Sequence, residues 1–115
     1  MEQSRKFKVL ISEEVDKFLS TIPIKARAKI IFNLEIVAGG KIDSELFKKL
    51  KGTDIWEFRT TFNHISYRIL SFWDTKRATL VVTTHGFIKK QQKTPKKEIK
   101  RAEEIKNEYI KNFKQ

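Results

Sequence analysis

The chain has 115 residues, and its 25 lysines and arginines outnumber its 14 aspartates and glutamates, which gives a formal net charge of +11. This length fits one compact domain over residues 1–115, and the lack of cysteine excludes disulfides and thiolate metal sites. No apolar run reaches the roughly 18 residues of a membrane span and no signal-peptide core is present, so we expect a cytoplasmic protein without a membrane partner. The charge favours an anionic partner, first of all nucleic acid.

The first third of the chain predicts a strand followed by two closely joined helices. Residues 7–11 have the strand pattern, and Ser12 suits the N-cap of a helix because acidic residues follow it at the positive helix end. The apolar stripe of this helix contains Val15, Phe18, Leu19 and Ile22. Pro23 ends it and starts a second helix, which the glycines at 39 and 40 end. The expected apolar stripe of the second helix contains Ala28, Ile31, Leu34, Val37 and Ala38.

The middle of the chain predicts an antiparallel sheet. Residues 45–50 predict a short helix, and residues 52–54 predict a turn that leads into the sheet. Apolar and polar residues then alternate in three strand-like segments, residues 55–62, 65–73 and 77–85. Because only Asn63-His64 and a turn at residues 74–76 separate them, these segments predict a meander of three consecutive strands.

The C-terminal part of the chain predicts an amphipathic helix. Thr94 and Pro95 suit its N-cap and first residue. One face of the helix contains Ile99, Ala102, Ile105, Tyr109 and Phe113. We expect this face to pack on the domain, which gives an α+β fold, and packing on a partner is the alternative.

Two arginines face each other in the predicted meander. If Asn63-His64 is a two-residue loop, Arg59 lies opposite Arg68 on the same face of the sheet. Opposed like charges cost a few tenths to about 1 kcal/mol unless a counter-charge is near. Two interpretations remain open: the guanidinium groups hold a phosphate between them, or Glu57 neutralises one arginine while the other lies in water.

His85 joins this face only if the second loop has two or four residues, because side chains alternate between the faces with a period of two. At the end of an apolar strand just before Gly86, it could be exposed at the sheet rim and transfer protons near neutral pH. The alternative is a hydrogen-bonded structural histidine. An odd loop length would pass the proton-transfer role to a lysine. His64 lies on a different element from His85, so we predict no metal site.

Lysines and one aromatic residue near the arginines extend the candidate site. The lysines expected to attract a polyanion and hold its backbone are Lys49, Lys51, Lys89, Lys90 and Lys93. Phe87 is expected either to stack on an unpaired base or to pack beneath the last helix. Stacking on an unpaired base would favour RNA over duplex DNA.

Five short motifs occur in a fixed order along nearly the whole chain. They are Leu50-Lys51-Gly52, Ile55-Trp56-Glu57-Phe58-Arg59, Tyr67-Arg68-Ile69-Leu70, His85-Gly86-Phe87-Ile88-Lys89-Lys90 and Lys93-Thr94-Pro95. In this order, and with a strand and two helices before them, they resemble the RelE/ParE toxin superfamily in its phage-derived HigB-like branch. The resemblance implies a RelE-like single domain, in which an N-terminal strand and a two-helix hairpin pack on an antiparallel sheet with a C-terminal helix.

The same resemblance implies the toxin of a type II toxin–antitoxin pair. Such a toxin is usually an mRNA interferase, an endoribonuclease that cuts mRNA in the ribosomal A site, inhibits translation and is silenced by a cognate antitoxin. It uses no metal and no cofactor, because the 2′-hydroxyl attacks the adjacent phosphate. Two other functions stay open: a ParE-like toxin that acts on DNA gyrase without cutting RNA, and an inactive module that only binds its antitoxin.

The resemblance also implies roles for individual residues. Arg59 and Arg68 would hold the scissile phosphate, and His85 would be the general acid or base. Lys51 or Lys49 would assist. The RNA itself would be held by Lys49, Phe87, Lys89, Lys90 and Lys93. Some members of the superfamily use lysine and a C-terminal tyrosine for proton transfer, where this chain has His85-Gly86-Phe87 followed by a long helix.

Overall fold

A computed structural model of the chain describes residues 6–74, 76, 77 and 79–113, the last without its side chain. The elements in chain order are β1 (Lys8–Leu10), α1 (Glu13–Ser20), α2 (Ile24–Ala38), β2 (Phe47–Lys49), β3 (Trp56–Phe62), β4 (Ile65–Trp73), β5 (Leu80–Lys89) and α3 (Lys96–Phe113). They form one sheet of order β1-β5-β4-β3-β2, in which β1 is parallel to β5 and the other neighbours are antiparallel. This arrangement confirms the predicted α+β fold.

Ser12 fixes the beginning of α1 and its place on the sheet. Its hydroxyl accepts a hydrogen bond from the Val15 backbone N–H at 3.1 Å, as the N-cap prediction requires. The same hydroxyl donates to the carbonyl of Thr84 at 3.0 Å, and the Ser12 N–H donates to the Thr83 hydroxyl at 2.9 Å. One serine therefore both starts α1 and joins it to β5.

The buried face of α2 differs from the predicted apolar stripe. Ala28 and Ile31 are exposed, the latter by 39%. The buried residues of α2 are Ala26, Ile30, Asn33, Leu34 and Val37. The helix is apolar on most of its sides, so periodicity alone leaves its rotation open. Asn33 helps to fix that rotation, because its amide donates to the Thr60 hydroxyl of β3 at 3.0 Å and so satisfies a polar group at a buried position.

The short helix predicted at residues 45–50 is wrong, because Phe47–Lys49 form β2 at the edge of the sheet. Its register pairs Phe47 with Phe58, Lys48 with Glu57 and Lys49 with Trp56. The ring of Phe47 stacks on Phe58 at 4.3 Å and on Trp56 at 4.8 Å between ring centroids. These aromatic contacts between β2 and β3 outweigh local helix propensity in a segment too short to show alternation.

Each face of the sheet has its own apolar core. The helices α1 and α2 cover one face, whose core contains Val15, Leu34, Phe58 and Tyr67 among others. The helix α3 covers part of the other face, where Ala102 packs with Leu70 and Phe72. The expected packing of the last helix on the domain is therefore confirmed.

Two details of this region differ from the prediction or lie outside the described residues. The helix α3 begins at Lys96 rather than at Pro95, whose carbonyl accepts a backbone bond from Glu98. Residue 75 of the predicted turn and the side chain of Phe113 lie outside the described residues. In the part of the chain that the structure describes, no helix combines the length and the apolar character needed to cross a membrane.

Candidate functional site

The turn between β3 and β4 sets the arginines opposite each other. Asn63 and His64 both have positive φ, 53° and 67°, as expected for a two-residue hairpin turn whose twist matches that of its strands. Asparagine tolerates this conformation better than most residues do. The resulting register pairs Phe62 with Ile65 and Arg59 with Arg68, so the predicted same-face pair is confirmed.

A β-bulge, rather than the length of the next loop, brings His85 to the arginine face. The paired residues Trp73 and Val81 enclose an odd number of residues, 74–80, so the predicted loop of two or four residues is wrong. The register then shifts between Ile69 and Ser71, where Thr84 and His85 both lie opposite Leu70. Beyond this bulge Arg68 pairs with Phe87, and His85 lies two residues earlier on the same strand face.

His85 is buried, contrary to the expected exposure at the sheet rim. Its residue is 2% exposed because α3 covers it. Its Nε2 atom lies 2.9 Å from the Oε1 atom of Glu98 in α3, and its Nδ1 atom lies 3.1 Å from the Thr84 hydroxyl. Burial lowers the pKa of His85, although the hydrogen bond that it donates to Glu98 raises it in part. Its contacts are therefore those of a hydrogen-bonded structural histidine, and its role in proton transfer stays a prediction.

Glu57 lies between the two arginines. Its Oε1 atom is 3.5 Å from the Nε atom of Arg59 and 3.5 Å from the Nε atom of Arg68. The carboxylate side chain is 2% exposed, against 8% for Arg68 and 28% for Arg59. Its other oxygen, Oε2, accepts a hydrogen bond from the hydroxyl of Thr94, just before α3. Glu57 thus contacts both arginines, where the sequence suggested that it neutralises only one.

Each guanidinium group donates to one backbone carbonyl and has an Nη2 atom without a hydrogen-bond partner among the described residues. Arg68 donates through Nη1 to the carbonyl of Tyr67 at 3.0 Å, and Arg59 donates through Nη1 to the carbonyl of Ser44 at 3.3 Å. Burial lowers the pKa of Arg68, Glu57 raises it and Arg59 lowers it further, yet a guanidinium stays charged near neutral pH. Within the described residues, no contact is recorded for the Nη2 atom of either arginine.

The arginine pair lines a groove that we call the arginine groove. It has a volume of about 470 Å³ and is lined by Arg59, Ser66, Arg68, Lys89, Lys90, Gln91 and Gln92. A second groove of about 420 Å³ also contains both arginines and continues along Lys29, Asn33 and Glu45. The arginines therefore lie where two polar grooves meet, and a polyanion longer than one phosphate could contact both.

The predicted lysines and Phe87 divide into three groups. Lys89 and Lys90 line the arginine groove. Lys51 and Lys93 are exposed in the segments between β2 and β3 and before α3. Phe87 is half-buried and packs against the core that contains Ala102 of α3, and its ring stacks on His85 at 6.0 Å between centroids. The packing alternative for Phe87 is therefore the observed one.

Sequence reasoning missed Lys48. It pairs with Glu57 and so lies on the arginine face, whereas Lys49 pairs with Trp56 and lies on the opposite face. Burial lowers the pKa of Lys89 most, and the nearby positive charges lower it further, Lys48 among them, while Glu57 opposes them. Extending the alternation back from β3 into Phe47–Lys49 as a strand would have identified Lys48.

The described residues contain no group of three or more histidines, aspartates or glutamates arranged to hold a metal ion. The arginine groove offers a ligand the positive charges and hydrogen-bond donors of Arg59, Arg68 and Lys89. Groups of this kind bind phosphate and phosphodiester oxygens.

Comparisons with known proteins give one family and one fold. The family described as "Phage derived protein Gp49-like" matches residues 17–107. The toxin–antitoxin complex RelBE2 from Mycobacterium tuberculosis is similar in structure, with a TM-score of 0.55 and 15% identity, over 76% of this chain and 98% of the matched chain. A free mutant of the E. coli toxin RelE gives a TM-score of 0.53 and 15% identity, over 95% and 99%. No curated protein matches. These findings show the Gp49-like family and confirm the predicted RelE-like fold, while the RelE/ParE superfamily and its HigB-like branch stay predictions.

Proposed function

The chain belongs to the phage-derived Gp49-like family, and we propose that it is the toxin of a type II toxin–antitoxin pair that cleaves mRNA without a metal ion. The observation that carries this proposal is the arginine pair, which lines an open groove together with Lys89. The fold, which it shares with RelE and with the toxin–antitoxin complex RelBE2, supports a toxin with an antitoxin partner.

The groove suits the charge changes of RNA cleavage. When the 2′-hydroxyl oxygen attacks the neighbouring phosphorus, the bond to the 5′-oxygen breaks, and negative charge builds on the non-bridging oxygens. Arg59 and Arg68 would donate their free Nη2–H groups to those oxygens and stabilise the transition state. The products are a cyclic 2′,3′-phosphate and a free 5′-hydroxyl. The arginines need no reorganisation for this role, because other contacts already hold each guanidinium.

Two proton transfers complete the reaction. One group removes the proton of the 2′-hydroxyl, and another protonates the leaving 5′-oxygen. Lys89 fits the first role better than His85 does, because it lines the groove and its pKa is lowered, chiefly by burial. His85 would have to leave Glu98 to reach a substrate. We therefore assign proton removal to Lys89 and keep His85 as a residue that positions β5 against α3.

The remaining lysines would extend the site to the RNA and the ribosome. Lys90 lines the groove, Lys93 is exposed just after the groove residue Gln92, and Lys51 is exposed between β2 and β3. Their charge, and the net charge of +11, favour contact with the RNA backbone and with ribosomal RNA. The cognate antitoxin would silence the toxin by binding to it.

Mapping of mRNA 5′ ends after expression of the chain without antitoxin tests the proposal. We expect translation to stop and new 5′ ends to appear within coding regions, and we expect both effects to vanish in Arg68→Ala. Intact transcripts together with double-strand DNA breaks and trapped gyrase would overturn the nuclease proposal in favour of a ParE-like toxin. Intact transcripts without toxicity would indicate an inactive antitoxin-binding module.

A further inference from the structure

We propose that Glu57 is a positioning residue, which aims both arginines at the scissile phosphate and fixes the opposite wall of the groove. This inference rests on the proposed nuclease function. It begins from the burial of the carboxylate, which is 2% exposed. Burying a carboxylate costs free energy unless charged partners and hydrogen bonds compensate it, so its place between two guanidinium groups needs an explanation.

The first oxygen of Glu57 acts on the arginines. Oε1 lies 3.5 Å from both Nε atoms, which are buried and have no hydrogen-bond partner among the described residues, so its charge attracts both guanidinium groups to one point. Each Nη1 atom donates to a backbone carbonyl, which restrains a second side of each guanidinium plane. A guanidinium is rigid and planar, and fixing two of its sides determines where the third points. The third side, Nη2, is the one left for a ligand. Without Glu57, the paired positive charges of Arg59 and Arg68 would drive the side chains apart.

The second oxygen of Glu57 acts on the segment before α3. Oε2 accepts the hydrogen bond of the Thr94 hydroxyl, only two residues before α3 begins. The same segment supplies Lys90, Gln91 and Gln92 to the groove. One carboxylate therefore contacts both sides of the groove. It sets the distance from the two arginines, on β3 and β4, to the wall formed by the segment after β5.

A negative charge in an anion site also has a cost, and this cost makes the proposal testable. Glu57 repels a bound phosphate, so loss of its charge strengthens ground-state attraction to RNA even as the arginines lose their orientation. A purely structural glutamate would instead lower stability and leave the rate of the folded protein unchanged. A split between binding and the chemical step is therefore the signature of a positioning role.

The test compares Glu57→Gln and Glu57→Asp with the matched control Glu108→Gln. Glu108 is exposed on α3, so its substitution changes the net charge by the same amount without touching the groove. The substrate is an RNA that spans a mapped cleavage site, bound to ribosomes if cleavage requires them. For binding, the same RNA carries a deoxyribose at the cleavage position. Single-turnover rates at saturation and dissociation constants are measured for each variant.

We expect both Glu57 variants to lower the saturating rate by about 10- to 100-fold, which is part of the effect of losing an oriented donor. Glu57→Gln should bind the uncleavable RNA as tightly as the wild type or more tightly, and Glu57→Asp, which keeps the charge but not the reach, should bind it equally. Glu108→Gln should match the wild type in rate. Wild-type rates in both Glu57 variants, or a loss explained by weaker binding alone, would overturn the proposal.

A second measurement needs no cleavage and separates this inference from the proposed function. The Nε–H groups of Arg59 and Arg68 are buried beside Glu57, so they should give sharp ¹⁵N side-chain signals, assigned through Arg59→Lys and Arg68→Lys. In Glu57→Gln these signals should broaden or disappear. If the wild-type protein does not cleave RNA, but the signals are lost in Glu57→Gln, the nuclease proposal fails and the positioning of the arginines stands. Unchanged signals would overturn the inference, whatever the activity.

Discussion

The sheet face that carries α3 has two ends, and the same strands build both. At one end, Leu70 and Phe72 of β4 pack against Ala102 of α3 in a dry core. At the other end, Arg68 of the same strand lies beside Glu57 and faces an open groove. The difference is coverage: α3 begins at Lys96 and lies over the first end only, with Thr94 bonded to Glu57 at the border. The start of one helix therefore divides a single face into core and candidate site.

Substitutions at the covered end should lower the stability of the protein. Phe72 is 1% exposed, and its ring contacts Tyr109 of α3 at 5.4 Å between centroids. Phe72→Ala removes most of this contact and leaves a cavity, so we expect a loss of about 3–5 kcal/mol in the free energy of unfolding. Urea denaturation measures it. A loss below about 1 kcal/mol would mean that α3 contributes little to this core.

Substitutions at the open end should lower RNA cleavage. Arg68→Ala removes one of the two guanidinium groups that face the scissile phosphate, and we expect cleavage to fall by about 100- to 1,000-fold. Single-turnover cleavage of the mapped RNA measures the change, with circular dichroism to verify the fold. Arg77→Ala is the control, because Arg77 is exposed near Asp74, far from the arginine groove. Equal activity in Arg68→Ala and Arg77→Ala would remove Arg68 from the mechanism.

His85 lies at the border between the two ends, and the protonation of its buried ring should make the stability of the protein depend on pH. Because burial lowers its pKa in the folded protein, the unfolded chain binds a proton more readily. Stability should therefore fall as the pH drops through the unfolded value near 6.5, by at most about 1.4 kcal/mol for each pH unit. Thermal unfolding between about pH 7.5 and about pH 5.5 measures this slope. The slope should decrease in His85→Gln, and an identical slope would assign it to other groups.

Two adjacent lysines offer the finest comparison of the two faces. Lys48 lies on the arginine face and Lys49 on the opposite one. We expect Lys48→Ala to weaken RNA binding and to lower the slope of log affinity against log salt by about one ion, with a smaller change in Lys49→Ala. Titration of the uncleavable RNA at several salt concentrations measures both. The opposite order would show that RNA follows the other face of β2.

The sequence predicted the arginine pair because its cause is local. Two residues, Asn63 and His64, define a turn of known geometry, and period-two alternation carries the register from there to Arg59 and Arg68. Likewise, Ser12 was recognisable as the N-cap of α1, because its hydroxyl accepts a hydrogen bond from a residue only three positions later. Features that depend on neighbours in sequence were readable from the sequence.

The features that failed depend on distant parts of the chain. His85 was expected at an open rim, but its exposure is decided by α3, which contacts it through Glu98. The strand β2 exists because Phe47 packs on Phe58 and Trp56, and no local pattern marks it. No sequence pattern marks the bulge at Thr84 and His85 either, although it decides which side chains at the end of β5 lie on the arginine face. Lys48 was missed as a consequence of β2.

The register after the bulge makes insertions and deletions unequal along this chain. Residues 74–80 lie outside the region where Arg68 and Phe87 pair, so a residue gained or lost there can be absorbed by the connection. Deletion of Gly86 would instead bring Phe87 opposite Ile69 and turn every later side chain of β5 to the other side of the sheet. Lys89 would leave the groove, and Phe87 would replace the small Gly86 against Phe18 of α1. Natural variation in the length of this chain should therefore concentrate before Val81 and avoid the part of β5 that follows the bulge.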